Sequence, residues 1–249
     1  MGKESNHWYD KTGKAAYTTL DSKGNVRNTN LRDARKHGYV PSVTTILGVA
    51  AKPSLENWKV NQAINAALAL SKWDDETDTQ FLFRCKEYSR SVGKEAAEKG
   101  TIIHAMIEQG FEGGEETKPY VKIKEYLDKK FPNEKWTSEA SFCAKDGYGG
   151  KIDLHSESGI FVDFKTKDNL NGKEGARLVY DEHGMQLSAY ANGCGFDNPE
   201  RISIFVDRED PELIVPYKWD KETHPKHLQM FKSLLTYWKL FKNYDPSIK

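Results

Sequence analysis

The pattern of apolar and polar positions changes character twice along the chain. Residues 7–30 alternate aromatic and polar side chains around Gly13 and Gly24, which predicts one or two short hairpins. Pro41–Ser42 then opens an apolar stretch, Val43 to Leu47, that reads as a helix capped by Ser42. Ser54 is expected to cap the next helix, running past Trp58 to about Leu70. Residues 75–112 read as one or two long helices with a pause near Lys99–Gly100, and residues 118–131 as another, stopped by Pro132.

After Pro132 the pattern turns to strands. Residues 136–145, 150–156 and 160–166 read as three consecutive strands, followed by a polar, glycine-bearing loop over 168–178. A helix is expected from about 180 to 193 and two strands over 201–206 and 212–217, with a turn at Glu209–Asp210–Pro211. A last amphipathic helix, 221–243, carries Leu228, Phe231, Leu234, Leu235, Trp238 and Phe241. Helices, a meander, a helix, two strands and a helix describe an α/β fold with a mixed central sheet flanked by helices. No long linker divides it, so the expectation is a single domain over 1–249. Its parts are N-terminal hairpins (1–40), a helical region (41–132), a catalytic core (133–220) and a C-terminal helix (221–249).

Composition narrows the function classes. A chain of 249 residues with 37% hydrophobic content can build a core, while 30% charged residues and a mean hydropathy of −0.75 mark a well-hydrated surface. Formal net charge is zero, so any grip on nucleic acid must be local. The most apolar run, Ala63 to Leu70, is too short to cross a membrane, and the polar start Met1–Asn6 lacks a signal-peptide core or a myristoylation pattern. Cys85, Cys143 and Cys194 are widely spaced, with no C-x-x-C pair to support a zinc ribbon or an iron–sulfur cluster. They suit reduced core positions in a cytoplasm.

The chemistry concentrates in Gly149–Gly150–Lys151–Ile152–Asp153 and, ten residues on, Asp163–Phe164–Lys165. If the intervening stretch is a hairpin with its tip at Glu157–Ser158–Gly159, residues whose numbers sum to 316 face one another. Asp153 then lies opposite Asp163, and Lys165, two residues further, shares that face. Adjacent carboxylates repel unless a cation lies between them, which points to a Mg²⁺ or Mn²⁺ site with a lysine beside it. The backbone carbonyl of Phe164 could add a ligand. Such a centre is equipped to hydrolyse a phosphodiester, with Lys165 orienting or deprotonating water or neutralising charge. Alone, a D-x-K triplet is more often a solvated face with cross-strand ion pairs.

Other residues could join this centre. His104 and Glu108 share a helix face at i, i+4; the histidine reads either as a packed core residue or as a third protein ligand. Glu139, on the preceding strand, is a further candidate or a surface residue. Gln186 and Tyr190, also at i, i+4, offer an amide and a phenol for a phosphate or base. Lys151, Lys167, Lys173 and Arg177 lie around the expected site in the chain, and Arg84 and Arg90 on the long helix. The aromatic residues could supply stacking platforms.

The ordered set G-x-x-x-H (Gly100 to His104), G-x-x-D (Gly150 to Asp153), D-x-K (Asp163 to Lys165) and Q-x-x-x-Y (Gln186 to Tyr190) resembles the RecB-like branch of the PD-(D/E)xK nucleases. The segment Pro41–Leu47, with Leu55 and Trp58 after it, looks like the start of phage-type exonucleases of that branch. The resemblance spans roughly residues 40–220. It implies a restriction-endonuclease-like fold with a metal at a split in the sheet. It further implies that His104, Asp153, Asp163 and the Phe164 carbonyl are metal ligands, that Lys165 is catalytic, and that Gln186 and Tyr190 contact DNA and buttress the site. The four-cysteine cluster of some relatives is missing, which favours the cluster-free exonucleases, and no P-loop is present. The implied activity is metal-dependent exonucleolytic hydrolysis of single-stranded or end-containing DNA in phage replication, recombination or repair. DNA is the partner, with phage or host recombination and replication proteins as further candidates, in the host cytoplasm. An endonuclease with the same site and a non-catalytic DNA-binding module are the alternatives.

Overall fold

A computed structural model describes residues 7–247; the polar stretch Met1–Asn6 lies outside them. By its contacts the chain forms two compact units, one of Met1–Ala50 with Met106–Lys249 and one of Ala51–Ala105. The first unit is built on a five-stranded sheet of order β5–β6–β7–β8–β9. Its strands are β5 (Trp136–Ala144), β6 (Tyr148–Ser156), β7 (Ile160–Lys167), β8 (Glu200–Asp207) and β9 (Ile214–Lys218). All neighbours are antiparallel except β7 and β8, which are parallel because α6 (Asp181–Gly193) carries the chain back between them. This is the mixed α/β architecture expected from the pattern, consistent with a restriction-endonuclease-like fold.

The meander follows from its turns. Gly159 has φ +91°, a conformation that an L side chain resists, and it closes β6 onto β7. The resulting pairs, Leu154 with Val162 and His155 with Phe161, have the expected register. Beyond Leu154–Val162 the two strands part: β6 keeps its partner β5, and β7 stays paired with β8 through Lys167. The sheet therefore splits beside Asp153 and Asp163. On the other flank the β5–β6 ladder skips the Glu139–Asp153 position, where Glu139 takes φ +54° inside the strand.

Helix α6 is buried from His183 through Ala191. It packs with α7 (His224–Lys242) and α2 (Val43–Leu47) over the core of Trp8, Phe142, Tyr148, Leu187, Phe231 and Trp238. Tyr148 ties β6 to α6 by donating to the Ala189 carbonyl at 3.1 Å. Arg201 is wholly buried, and its guanidinium donates to Ser188 Oγ, Thr223 Oγ1 and the Asp220 carbonyl, each at 2.8 Å. That bracket joins β8, α6 and the 3₁₀ turn Lys221–Thr223 before α7.

Several boundaries differ from the sequence reading. β2 (Thr18–Leu20) and β3 (Val26–Asn28) form the hairpin expected near Gly24, and Tyr9 bridges Ala15 antiparallel across the expected Gly13 turn, while β1 (Trp8–Tyr9) also pairs with β4 (Val40–Pro41), a partner far along the chain. Helix α1 (Leu31–His37) went unread because it buries only Ala34; a capping box of Asn30 with Asp33 starts it, and Gly38 at φ +72° ends it. Ser42 caps α2 as expected, accepting the Thr45 N–H at 3.0 Å. Helix α5 (Lys118–Lys130) buries Ile123 and Leu127.

The second unit consists of α3 (Pro53–Ala69) and the greater part of α4 (Asp78–Phe111). Pro53 begins α3, its fixed φ suiting the first turn, so Ser54 is inside the helix rather than its cap. Helix α4 runs on without the expected pause at Lys99–Gly100. From the second turn of α4, Arg84 reaches back over the Trp73 ring at 4.1 Å and grips Glu76 with two nitrogens, at 2.7 and 3.0 Å.

Candidate active site

The site begins with alternation along β7. Asp163 and Lys165 are two residues apart on one strand face, and Lys165 Nζ donates to Asp163 Oδ1 at 2.8 Å. From α6, one helical turn presents Gln186 and Tyr190 together. Gln186 Nε2 donates to Asp163 Oδ1 at 2.8 Å and to the Tyr190 hydroxyl at 2.9 Å, while its Oε1 accepts from Lys165 Nζ at 3.2 Å. Two of the four motif segments, D-x-K and Q-x-x-x-Y, thus meet in one hydrogen-bonded cluster. Asp163, Gln186 and Tyr190 are 1%, 7% and 4% exposed, whereas the Lys165 side chain keeps 27% of its surface.

Asp153 completes the arrangement from β6. Its Oδ2 accepts the Phe164 N–H at 2.8 Å, so a carboxylate occupies the place of a ladder carbonyl where β6 and β7 separate. The glycine of the G-x-x-D motif has a packing role. A Cβ on Gly150 would stand 2.8 Å from the Tyr190 ring and 2.9 Å from Phe142, so only glycine lets α6 come this close to β6.

Burial and mutual charge set the protonation behaviour. Burial pushes the Asp163 carboxyl up; the Lys165 charge pulls it down and the Asp153 charge pushes it up, and the net direction is upward. Burial works against the Lys165 ammonium, but Asp163 and Asp153 outweigh it, and the lysine titrates above its ordinary value. Burial, then the charges of Asp163 and Asp153, raise the Tyr190 phenol well above its usual range. At neutral pH the cluster therefore holds an ammonium and a neutral phenol beside the two carboxyl groups.

The donor chemistry fits a hard divalent cation. Asp163 Oδ2 lies 2.6 Å from Lys165 Nζ yet receives no hydrogen bond of good geometry, which leaves a buried carboxyl oxygen with coordinating capacity. Carboxylate oxygens are the ligands Mg²⁺ and Mn²⁺ take, with water filling further positions. Among the described residues, no three His, Cys, Asp or Glu side chains are grouped to hold a metal ion.

The remaining sequence candidates are distributed around this cluster or away from it. Lys151, next but one to Asp153, forms an ion pair with Glu139, whose side chain is 19% exposed. Lys167 is turned inward: its Nζ donates to the Leu178 carbonyl at 2.9 Å and lies over the Tyr180 and Phe205 rings. Arg177 is largely exposed on the 3₁₀ turn Gly175–Arg177, 3.7 Å from Glu174 Oε2. Lys173 Nζ donates to the Asp168 carbonyl at 3.4 Å. Arg84 is engaged with Glu76, and Arg90 with Glu87. His104 and Glu108 occupy successive turns of α4, His104 in the second unit and Glu108 in the first. Cys85, Cys143 and Cys194 are free cysteines.

Two neighbours escaped the sequence reading. Glu182 acts electrostatically on Lys165, and His183 on Asp163. Their offsets of four and three residues before Gln186 put them on its helix face, and that spacing was the available signal.

No protein-family model matches this chain, and no curated protein is similar to it. Among solved structures, the crystal structure of SSO0001 is similar at 16% identity and a TM-score of 0.31, covering 72% of this chain and 85% of that one. An alkaline exonuclease (LHK-Exo) from Laribacter hongkongensis is similar at 13% identity and a TM-score of 0.30, covering 74% of this chain and 96% of that one.

Proposed function

We propose that this protein is a metal-dependent nuclease that hydrolyses the phosphodiester bonds of DNA, acting as an exonuclease on single-stranded or end-containing substrates. The observation that carries the reading is the buried Asp163 carboxylate held between Lys165 and Gln186, with Asp153 beside it at the split of the sheet. A structural ion pair needs none of the remaining parts: a second carboxylate raising the first, an amide fixing its orientation, and a partly exposed lysine.

Asp153 and Asp163 would hold Mg²⁺ or Mn²⁺, with the Phe164 carbonyl as the further ligand the motif pattern suggests. When bound, the cation supplies Lewis-acid stabilisation of phosphate charge and lowers the pKa of water. The protein's own groups do the rest. Gln186 locks the Asp163 carboxylate by one hydrogen bond and positions the Lys165 ammonium by another. The raised pKa of Lys165 keeps it cationic, which suits it to orient water and to neutralise charge growing on the phosphate oxygens during in-line attack. Tyr190, kept neutral and buried, accepts from Gln186 Nε2 and so buttresses the amide that holds Asp163. The motif pattern also supports a place in phage replication, recombination or repair.

The test is a nuclease assay with Mn²⁺ or Mg²⁺ on linear single-stranded, linear duplex and covalently closed circular DNA, with Lys165→Ala as control. Loss of linear DNA with circles intact, abolished by the substitution, is the expected result. Cut circles move the assignment to an endonuclease. Absence of cleavage on every substrate refutes the enzymatic reading and leaves a DNA-binding module.

A further inference from the structure

Two residues past Lys165, the same face of β7 carries a second feature. Lys167 Nζ lies 4.8 Å from the centre of the Tyr180 ring and 5.2 Å from that of Phe205. Tyr180 directly precedes α6 and is 47% exposed, with the ammonium over its ring. His183 stands against the ring at 5.5 Å, and Phe205 is the register partner of Lys165 on β8. The strand rise places Lys167 about 7 Å along β7 from the lysine of the site.

The ring is held, not loose. Lys167 is anchored to the Leu178 carbonyl at 2.9 Å, and the Tyr180 N–H donates to His183 Nδ1 at 3.4 Å. Further cations lie beside it: Lys173 and Arg208 both act on Lys167, after its burial, to depress its pKa. Acids stand among these cations, and Glu182, two residues after Tyr180, acts on Lys165. Asp168 pairs with Arg208 at 2.7 Å, and Asp207 accepts the N–H groups of Leu170, Glu209 and Asp210. Asp181 faces His227 at 3.5 Å.

We propose that Tyr180, backed by Lys167 and His183, is a stacking platform for an unpaired base of a single DNA strand entering the neighbouring site. An exposed aromatic ring beside clustered cations matches the two parts of a single strand, base and phosphate. A duplex keeps its bases stacked on one another and offers the ring nothing of the kind. The proposal rests on reading the adjacent cluster as a nuclease centre, and it names that centre's substrate as a single strand.

The test is fluorescence anisotropy with a fluorescein-labelled oligothymidylate and with a labelled hairpin duplex of similar length, in EDTA so that binding is read without hydrolysis. Tyr180→Ala should weaken single-strand binding by about 5- to 150-fold, the range for losing one base–aromatic stack. Tyr180→Phe and Tyr180→Trp should stay close to the wild type, and duplex binding should change little in all three. Thermal melting checks that each variant is folded, and the aromatic variants carry the test if the alanine variant is not. Single-strand affinity unchanged in Tyr180→Ala, lost in folded Tyr180→Phe and Tyr180→Trp, or lost equally for strand and hairpin, overturns the platform. Wild-type protein that binds the strand through Tyr180 but hydrolyses no DNA would refute the nuclease reading and leave the platform standing. Hydrolysis that survives alongside unchanged Tyr180→Ala binding would refute the platform alone.

Discussion

Replacing Lys165 by methionine keeps the length of the side chain and removes the charge that lies 2.6 Å from Asp163 Oδ2 and 2.8 Å from Oδ1. Breaking a buried ion pair from one side costs about 3–5 kcal/mol. Two features lower that figure here. The lysine keeps 27% of its surface, and burial already pushes the Asp163 carboxyl up, so the acid can neutralise itself by taking a proton. The expected loss without metal is therefore about 2–3 kcal/mol, or about 4–12 °C in Tm for a chain of this size. Mn²⁺ should restore the difference, because it no longer competes with an ammonium for the carboxylates; at one hundred times Kd it contributes about 2.7 kcal/mol. Thermal melting of wild type and variant, in EDTA and across a Mn²⁺ titration, reads both effects. The double variant Asp163→Asn with Lys165→Met should melt nearer the wild type than Lys165→Met alone. Equal melting temperatures in EDTA, or a smaller Mn²⁺ shift in the variant than in the wild type, would falsify the role of Lys165 as the countercharge of a metal-binding carboxylate pair.

Three further outcomes follow from the geometry. Gly150→Ala should cost about 1–3 kcal/mol in urea denaturation, because its Cβ would stand 2.8 Å from Tyr190 and 2.9 Å from Phe142; an unchanged midpoint would contradict the close approach of α6. Glu139→Gly should exceed Glu139→Ala in stability by about 1 kcal/mol, since both lose the Lys151 pair but only glycine accepts φ +54° without strain; the reverse order would rule out a left-handed backbone there. His224 is buried without a hydrogen-bond partner on either ring nitrogen, and burial followed by the Arg201 charge lowers its pKa from 6.5 to about 4. Below pH 6.5 the unfolded chain takes up that proton first, so stability should fall as pH drops from about 6.5 towards 4, by about 2 kcal/mol after allowance for solvent screening. The denaturation midpoint of wild type should fall relative to that of His224→Phe as pH drops across that range, and parallel curves would refute the assignment.

By itself the sequence determined the elements whose geometry is local. The β6–β7 register was legible because a glycine tip and the two-residue alternation of a strand leave little choice, and both act over fewer than twenty residues. The pairing of Asp163 with Lys165 and of Gln186 with Tyr190 was legible for the same reason, through periods of 2 and 3.6. Periodicity names the face a residue shares but not what that face meets. Tertiary structure therefore decided that α6 lays Gln186 on Asp163, that β1 pairs with β4, and that the sheet splits where Asp153 takes the Phe164 N–H. It also decided that Lys167, expected to face DNA, is anchored to Leu178, and that Glu139 is forced into a left-handed conformation opposite Asp153. These outcomes depend on closing long loops and packing several elements at once, and the energy that selects them is shared among residues far apart in the chain.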